Sequence, residues 1–236
     1  MPVTGDRGVP LRVVSYNIHT QRDDTAALAA VVRTARPDVV IVQEGPRRFR
    51  WRQKSATLAA SFGLTVAAGG LPSLGNLLLT SLRVRVRSTA CRRYPLTPGR
   101  HLRGAAYAEC EVGGVRFLLA GSHLSTDPAE RPAQAAAFKR ELAATTLPVV
   151  AGADLNEGPD GLAWRTVADG LTDAAVAMDR ADRHTYSCAN PRRRIDALFV
   201  DPRITVVDYD VVDTPQTRRA SDHFPILVDL LLPAAG

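Results

Sequence analysis

At 236 residues and 45% hydrophobic, the chain has the length and composition of a globular protein with a sizeable core. Thirty Lys and Arg against 24 Asp and Glu give a formal charge of +6, compatible with a polyanionic partner such as nucleic acid or a phosphate ester. The bias to Arg, with Lys54 and Lys139 the only lysines, is also what a GC-rich genome produces. Cys91, Cys110 and Cys188 are odd in number, far apart and lack C-x-x-C spacing, which argues against a disulfide framework or a cysteine zinc site and fits a reducing compartment.

In chain order, residues 11–18 (LRVVSYNI) predict a strand with Asn17 at its end. Asp23-Asp24-Thr25 offers N-cap chemistry for a helix over residues 26–35, stopped before Pro37. Residues 38–42 predict a buried strand ending at Gln43-Glu44, residues 47–62 a basic helix, and residues 64–68 a short strand. A turn-rich loop, 69–75, precedes the apolar run 76–81. Residues 84–87 alternate with period two, as a half-buried antiparallel strand does, and 93–103 is a loop. Residues 105–111 and 115–124 bracket Gly113-Gly114, a hairpin signal, and the second strand ends at His123. An Ala-rich helix over 128–144 leads to a strand over 148–151, with Asp154 and Asn156 just beyond. A helix over 161–168 precedes the polar, poorly periodic stretch 169–187. Strands follow over 194–200, containing Asp196, and over 204–212. The last, over 225–232, comes directly after Asp222-His223.

No compositional break divides the chain, so the expectation is one domain over residues 11–232 behind an N-terminal tail, residues 1–10. The tail lacks the apolar core of a signal peptide, and no stretch approaches the roughly 20 apolar residues of a membrane span. The expectation is a soluble, cytoplasmic monomer. The element order predicts a two-sheet α/β sandwich with helices outside and a weak similarity between its halves.

Polar residues end the apolar strands: Asn17, Glu44, Asn76, His123, Asp154, Asn156, Asp196, Asp222 and His223. Singly, each reads as a turn former, a cap, a packed histidine or a solvated charge. Together they are acids, amides and imidazoles at strand ends, where layered α/β folds build sites. Carboxylate and amide oxygens suit a hard cation such as Mg²⁺ or Mn²⁺. No nucleophile elbow and no Walker-type or dinucleotide glycine loop is present.

Seven short motifs run in order from Ser15 to Pro225. They are Ser15-Tyr16-Asn17, Gln43-Glu44, Gly75-Asn76, Ser122-His123-Leu124, Gly152-Ala153-Asp154-Leu155-Asn156, Arg194-Ile195-Asp196 and Ser221-Asp222-His223-Phe224-Pro225. With them the chain resembles the endonuclease/exonuclease/phosphatase superfamily, the group of pancreatic-type deoxyribonucleases, apurinic endonucleases, neutral sphingomyelinases and inositol polyphosphate 5-phosphatases. The resemblance implies a four-layer α/β/β/α sandwich of two mixed, mainly antiparallel sheets. It also implies a metal-dependent hydrolase of phosphoester bonds. Glu44 would be the principal metal ligand, helped by Asn17, with Asp222 supporting that metal or a second one. Asp154 would orient or deprotonate the attacking water, and Asn156 would hold that water or a phosphate oxygen. His223 would meet the phosphate, with Asp196 fixing its tautomer and favouring its charged form. His123 would contact the phosphate or help the leaving group. Arg103 would add positive charge, and Asn76 and His19 join it as candidate phosphate contacts.

Two departures stand out. His19 occupies the place where several branches carry an acid, and Ala153 is inserted in the usual Gly-Asp-Phe-Asn. The chain is similar to bacterial members of the group. Two basic clusters bear on the substrate: Arg47, Arg48, Arg50, Arg52 and Lys54 interleaved with Phe49 and Trp51, and Arg192-Arg193-Arg194. Arginines beside aromatics suit a nucleic-acid backbone with splayed bases. The leading expectation is hydrolysis of a phosphodiester in nucleic acid. The alternative is a family scaffold recruited to another reaction or to binding only.

Overall fold

The computed structural model describes residues 8–95 and 97–234. The first half of the chain forms β1 (Val9–Asn17), α1 (Thr25–Ala35), β2 (Val39–Gln43), α2 (Trp51–Phe62), β3 (Thr65–Gly69) and β4 (Leu77–Thr80). The second forms β5 (Arg85–Arg93), β6 (Gly104–Val112), β7 (Val115–His123), α3 (Arg131–Ala143), β8 (Val149–Asp154) and α4 (Leu162–Ala168). Then come β9 (Thr172–Asp173), α5 (Ala174–Ala177), β10 (Asp196–Val200), β11 (Thr205–Val211), α6 (Thr217–Ala220) and β12 (Ile226–Leu232).

The strands make two six-stranded mixed sheets, ordered β11-β12-β1-β2-β4-β3 and β5-β6-β7-β8-β10-β9. In each, one parallel pair, β1 with β2 or β7 with β8, is flanked by antiparallel neighbours. The runs β12-β1-β2-β4-β3 and β6-β7-β8-β10-β9 therefore share a topology, which is the half-to-half similarity expected from the element order.

Period-two alternation sends successive side chains to opposite faces. Val13, Ile41 and Leu78 of one sheet meet Phe117, Leu119, Val150 and Leu198 of the other in the inter-sheet core. Val14, Val40 and Leu79 pack outward on Leu28 and Val32 of α1 and Leu58 and Phe62 of α2. Tyr107, Ala151 and Phe199 pack on Phe138 of α3 and Trp164 of α4. The result is the four-layer α/β/β/α sandwich. Covered on both faces, the central strands carry the near-continuous apolar runs that made them legible.

Several boundaries differ from expectation for local reasons. β1 begins at Val9, paired with Leu232, inside the expected tail; residues 1–7 of that tail lie outside the described residues. α2 begins at Trp51, not residue 47, because Arg50 takes a left-handed conformation (φ 58°) and residues 45–50 form a loop. β5 runs six residues past its expected end, since a register shift between Val86 and Ser88 breaks the alternation. α3 starts at Arg131 because Asp127 ties residues 127–130 into a turn, accepting from the Ala129 amide through its side chain and from Glu130 through its carbonyl. β8 continues through Gly152 to Asp154. The three cysteines are free, and no helix among the described residues is long and apolar enough to cross a membrane.

Glycines set the sheet separation near the strand ends. A Cβ on Gly152 would lie 2.7 Å from Ser15 Oγ and 2.8 Å from Ile41 Cδ1, and one on Gly121 would lie 2.7 Å from Ile41 Cγ2. Gly152→Val is expected to destabilise the fold by about 1–3 kcal/mol, as overpacking does. An unchanged urea midpoint would show that the sheets do not approach this closely.

Candidate active site

Strand register lines up the site. In the second sheet Gly104 pairs with His123, His123 with Asp154, and Asp154 with Asp196, so these residues form one row across the strand ends. In the first sheet Asn17 pairs with Gln43. Glu44 follows, in a left-handed conformation (φ 58°) that turns the chain out of the strand.

Asp154 is the hub. It is 1% exposed, and its Oδ2 accepts from Asn17 Nδ2 at 2.8 Å across the sheet interface. Its Oδ1 accepts from the Asn156 backbone amide at 3.0 Å, a tight turn that holds Asn156 at φ 52°. Two histidines approach Oδ2: His123 Nε2 at 3.3 Å and His223 Nε2 at 3.8 Å.

The two rings are opposites. Arg103 Nη1 donates to His123 Nδ1 at 3.0 Å, and because guanidinium has no acceptor, that nitrogen must accept. Asn156 Nδ2 stands 3.0 Å from Nε2 as a second donor, so donors on both sides disfavour a second proton on the ring. Burial pushes His123 down to about 3; Asp154 opposes this and the Arg103 charge adds to it. For His223 burial alone would also lower the pKa. The Asp196 charge and its hydrogen bond to Nδ1 at 2.9 Å outweigh burial and raise it to about 10. His223 is therefore the cation and His123 the neutral partner.

Asp196 Oδ1 is buried without a hydrogen-bond partner, as is Asp222 Oδ1. Asp154, Asp196 and His223 form a buried group whose ligand atoms lie within 4.8 Å of one another. Arg103 is 9% exposed; desolvation lowers its pKa, and its Nε finds no partner among the described residues. Asn156 Nδ2 donates to the Leu124 carbonyl at 3.0 Å and lies 3.0 Å from His123 Nε2.

Two candidates stand differently from the rest. Asn76 reaches the rim, but its amide protons go to the carbonyls of Ser73 and Gly104, both at 2.8 Å. Only its Oδ1, buried and unpartnered, remains, and an acceptor does not bind a phosphate oxygen. His19 Nδ1 meets Asp23 at 2.7 Å and lies 3.7 Å from Asp222, so it adjoins the Asp222 carboxylate. Of the basic triplet, Arg194 is not a surface charge: it is buried over Trp164 and paired with Asp173 at 2.9 Å.

Three supporting residues escaped the sequence reading. Ser221 Oγ donates to the Asn17 carbonyl at 2.7 Å and accepts from the His223 amide at 3.2 Å. Thr185 Oγ1 receives the Ile195 and Asp196 amides, each at 3.2 Å. Tyr186 lays its ring 4.7 Å from that of His223. Ser221 opens the Ser221-to-Pro225 motif. Thr185 and Tyr186 lie in the aperiodic 169–187 stretch, which gave no signal.

The endonuclease/exonuclease/phosphatase family model matches residues 14–223. The chain belongs to that family. Its members are hydrolases of phosphoester bonds that use divalent metal, and the chain is an enzyme of that class. No curated protein matches it. Among solved structures, a family protein from Bacteroides thetaiotaomicron aligns with TM-score 0.82 at 18% identity, covering 96% of this chain and 99% of that one. A mannosyl-6-phosphatase from the same species aligns at 0.80 and 17%, covering 94% and 100%. TDP2 of D. rerio, complexed with single-strand DNA product, aligns at 0.75 and 18%, covering 94% and 98%. At these identities the likeness is one of fold.

The histidine states carry a sign. His223 is raised above its ordinary 6.5, so its pairing stabilises the fold fully below about pH 6.5, and that contribution is lost as pH rises toward 10. His123, lowered from 6.5, costs stability as pH falls toward 3. In Asp196→Asn the alkaline loss should shrink, since Asp154 and Asp222 alone remain to oppose burial. Urea midpoints at pH 7 and 10 that fall equally in wild type and variant would contradict the assignment.

Proposed function

We propose that the chain is a divalent-cation-dependent phosphodiesterase, with nucleic acid as its leading substrate, acting by in-line attack of water. The observation that carries this reading is a buried carboxylate, Asp154, held between a cationic and a neutral histidine beside an arginine with an unpartnered Nε. A buried acid and cations that lack full partners call for an anionic ligand and a cation.

The residues present fit a divalent cation. Asp222 Oδ1 is buried without a donor, and Glu44 and Asn17 add carboxylate and amide oxygens at neighbouring strand ends. That donor set is oxygen-rich and free of thiolate, which suits Mg²⁺ or Mn²⁺. The buried Asp154, Asp196 and His223 group reads instead as a protonated imidazole hydrogen-bonded to Asp196 and 3.8 Å from Asp154, since its one nitrogen donor is charged. When bound, the cation would neutralise phosphate charge and stabilise the leaving oxygen.

The chain's own groups handle the rest. Asp154, oriented through both oxygens by Asn17 and the Asn156 amide, accepts a proton from the attacking water. His223 keeps its Nδ1 proton on Asp196 and offers its Nε2 proton to a phosphate oxygen. Burial, aided by the fixed positive charge of Arg103, keeps His123 neutral, and the Asn156 side chain positions the water or a phosphate oxygen.

Asp154→Ala should lower phosphodiester turnover by about 10²–10⁴-fold, the usual worth of a positioned acid–base group. His223→Ala should lower it by about 10²–10³-fold through loss of a donor to the phosphate, and Glu44→Ala should lower it by removing a ligand of the cation. Chelation should abolish turnover, and Mg²⁺ or Mn²⁺ should restore it. Assays on plasmid, single-stranded DNA and small phosphoesters would test this; wild-type-like turnover by the variants would sink it.

A further inference from the structure

Cationic charge is concentrated in one part of the chain. Residues 45–108 contain twelve Arg and Lys and no Asp or Glu, while the remainder carries 18 basic against 24 acidic residues. This stretch builds α2, β3, β4 and β5, and β3 and β5 are the adjoining edges of the two sheets. Carboxylates from elsewhere neutralise Arg83, Arg87, Arg92 and Arg100. Arg48 and Arg50 are exposed on the loop that leaves Glu44, and neither joins an ion pair among the described residues.

That loop is fixed in place. The Gly45 amide donates to the Gly75 carbonyl at 2.7 Å, and Arg47 Nη1 donates to the Leu74 carbonyl at 3.1 Å. Trp51 packs on Gly70, where an added Cβ would sit 2.5 Å from the ring, and the Arg52 guanidinium covers the indole at 4.5 Å. The loop leaves directly from Glu44, and its anchors Leu74 and Gly75 precede Asn76, which donates to the Gly104 carbonyl beside His123, so the base of the loop adjoins the site. At its tip Phe49 is 85% exposed, between Arg48 and Arg50.

An anchored loop that offers an aromatic face to solvent between unpaired arginines matches a stacking platform beside a phosphate track. A membrane is a poorer match. Phe49 is the one large apolar side chain of the 45–50 loop; the adjacent Trp51 packs on Gly70, and Leu71 and Leu102 elsewhere in the basic stretch are only 37% and 40% exposed. A duplex keeps its bases stacked on one another and offers none to Phe49.

We propose that the residue 45–50 loop binds a single-stranded nucleic-acid segment leading into the site, with Phe49 stacked on an unpaired base and Arg48 and Arg50 on the flanking phosphates. This deepens the phosphodiesterase reading and rests on it for the position of the scissile bond.

The test uses the full chain and a fluorescein-labelled single-stranded 12-mer, read by anisotropy in chelator over a range of salt. Phe49→Ala should weaken binding by roughly tenfold or more, and Phe49→Trp should retain it. Arg48→Ala with Arg50→Ala should shrink the slope of log affinity against log salt by about 1.4, for two phosphate contacts on a single strand. Hydrolysis of bis(4-nitrophenyl) phosphate, too small to reach the loop, should be unchanged in all three, which also reports an intact fold. Equal binding by Phe49→Ala, tighter binding of the matching duplex, or Phe49-dependent association with phosphatidylglycerol vesicles would each overturn the platform. The anisotropy result decides it whether or not any phosphoester is cleaved, whereas inactivity of wild type on every substrate would strike the reaction alone.

Discussion

One buried hydrogen bond joins the two sheets where the chemistry lies: Asn17 Nδ2 to Asp154 Oδ2, 2.8 Å long, between residues 137 positions apart. Each partner ends a central strand of a different sheet, so the bond exists only if both sheets have folded and met in register. Other contacts lean on it. Ser221 grips the Asn17 carbonyl and the His223 amide, which brings the last site segment onto β1. A buried polar pair of this kind is costly to leave half made, because the remaining partner would be desolvated without compensation. The glycines at 121 and 152 let the sheets close to the distance it needs.

Environment, not residue type, separates the two histidines. Both are buried and both approach the same Asp154 oxygen. What differs is the group behind each ring: a guanidinium behind His123 and a carboxylate behind His223. One ring is held neutral and the other protonated, so the site carries an asymmetric proton distribution before any ligand arrives.

Much of this was legible in the sequence because the strands are buried on both faces and end in polar residues. Asn17, His123, Asp154, Asp196 and His223 each follow or open an apolar run, and the structure brings them together. What stayed hidden depends on distant partners. The shift at Val86 disguised most of β5, and the loop that delays α2 is held by Gly75 and Leu74, nearly thirty residues on. Nothing local to Asn76 reveals that the Gly104 carbonyl takes up one of its amide protons, or that Asp173 and Trp164 bury Arg194. Thr185 and Tyr186 support Asp196 and His223 from a stretch without periodicity.

The shared topology of the two halves has a consequence for how the site divides its labour. Equivalent strand ends carry Asn17 and Glu44 in one half and His123 and Asp154 in the other. In the proposed reaction the first set holds the cation, while Asp154 of the second takes the water's proton beside a neutral His123. The scaffold is nearly symmetric while its chemistry is not, and the two tasks meet mainly through the Asn17–Asp154 bond. The separation is incomplete, because the Asp222 charge helps raise the pKa of His223, so a change among the cation's carboxylates also retunes the phosphate-facing ring.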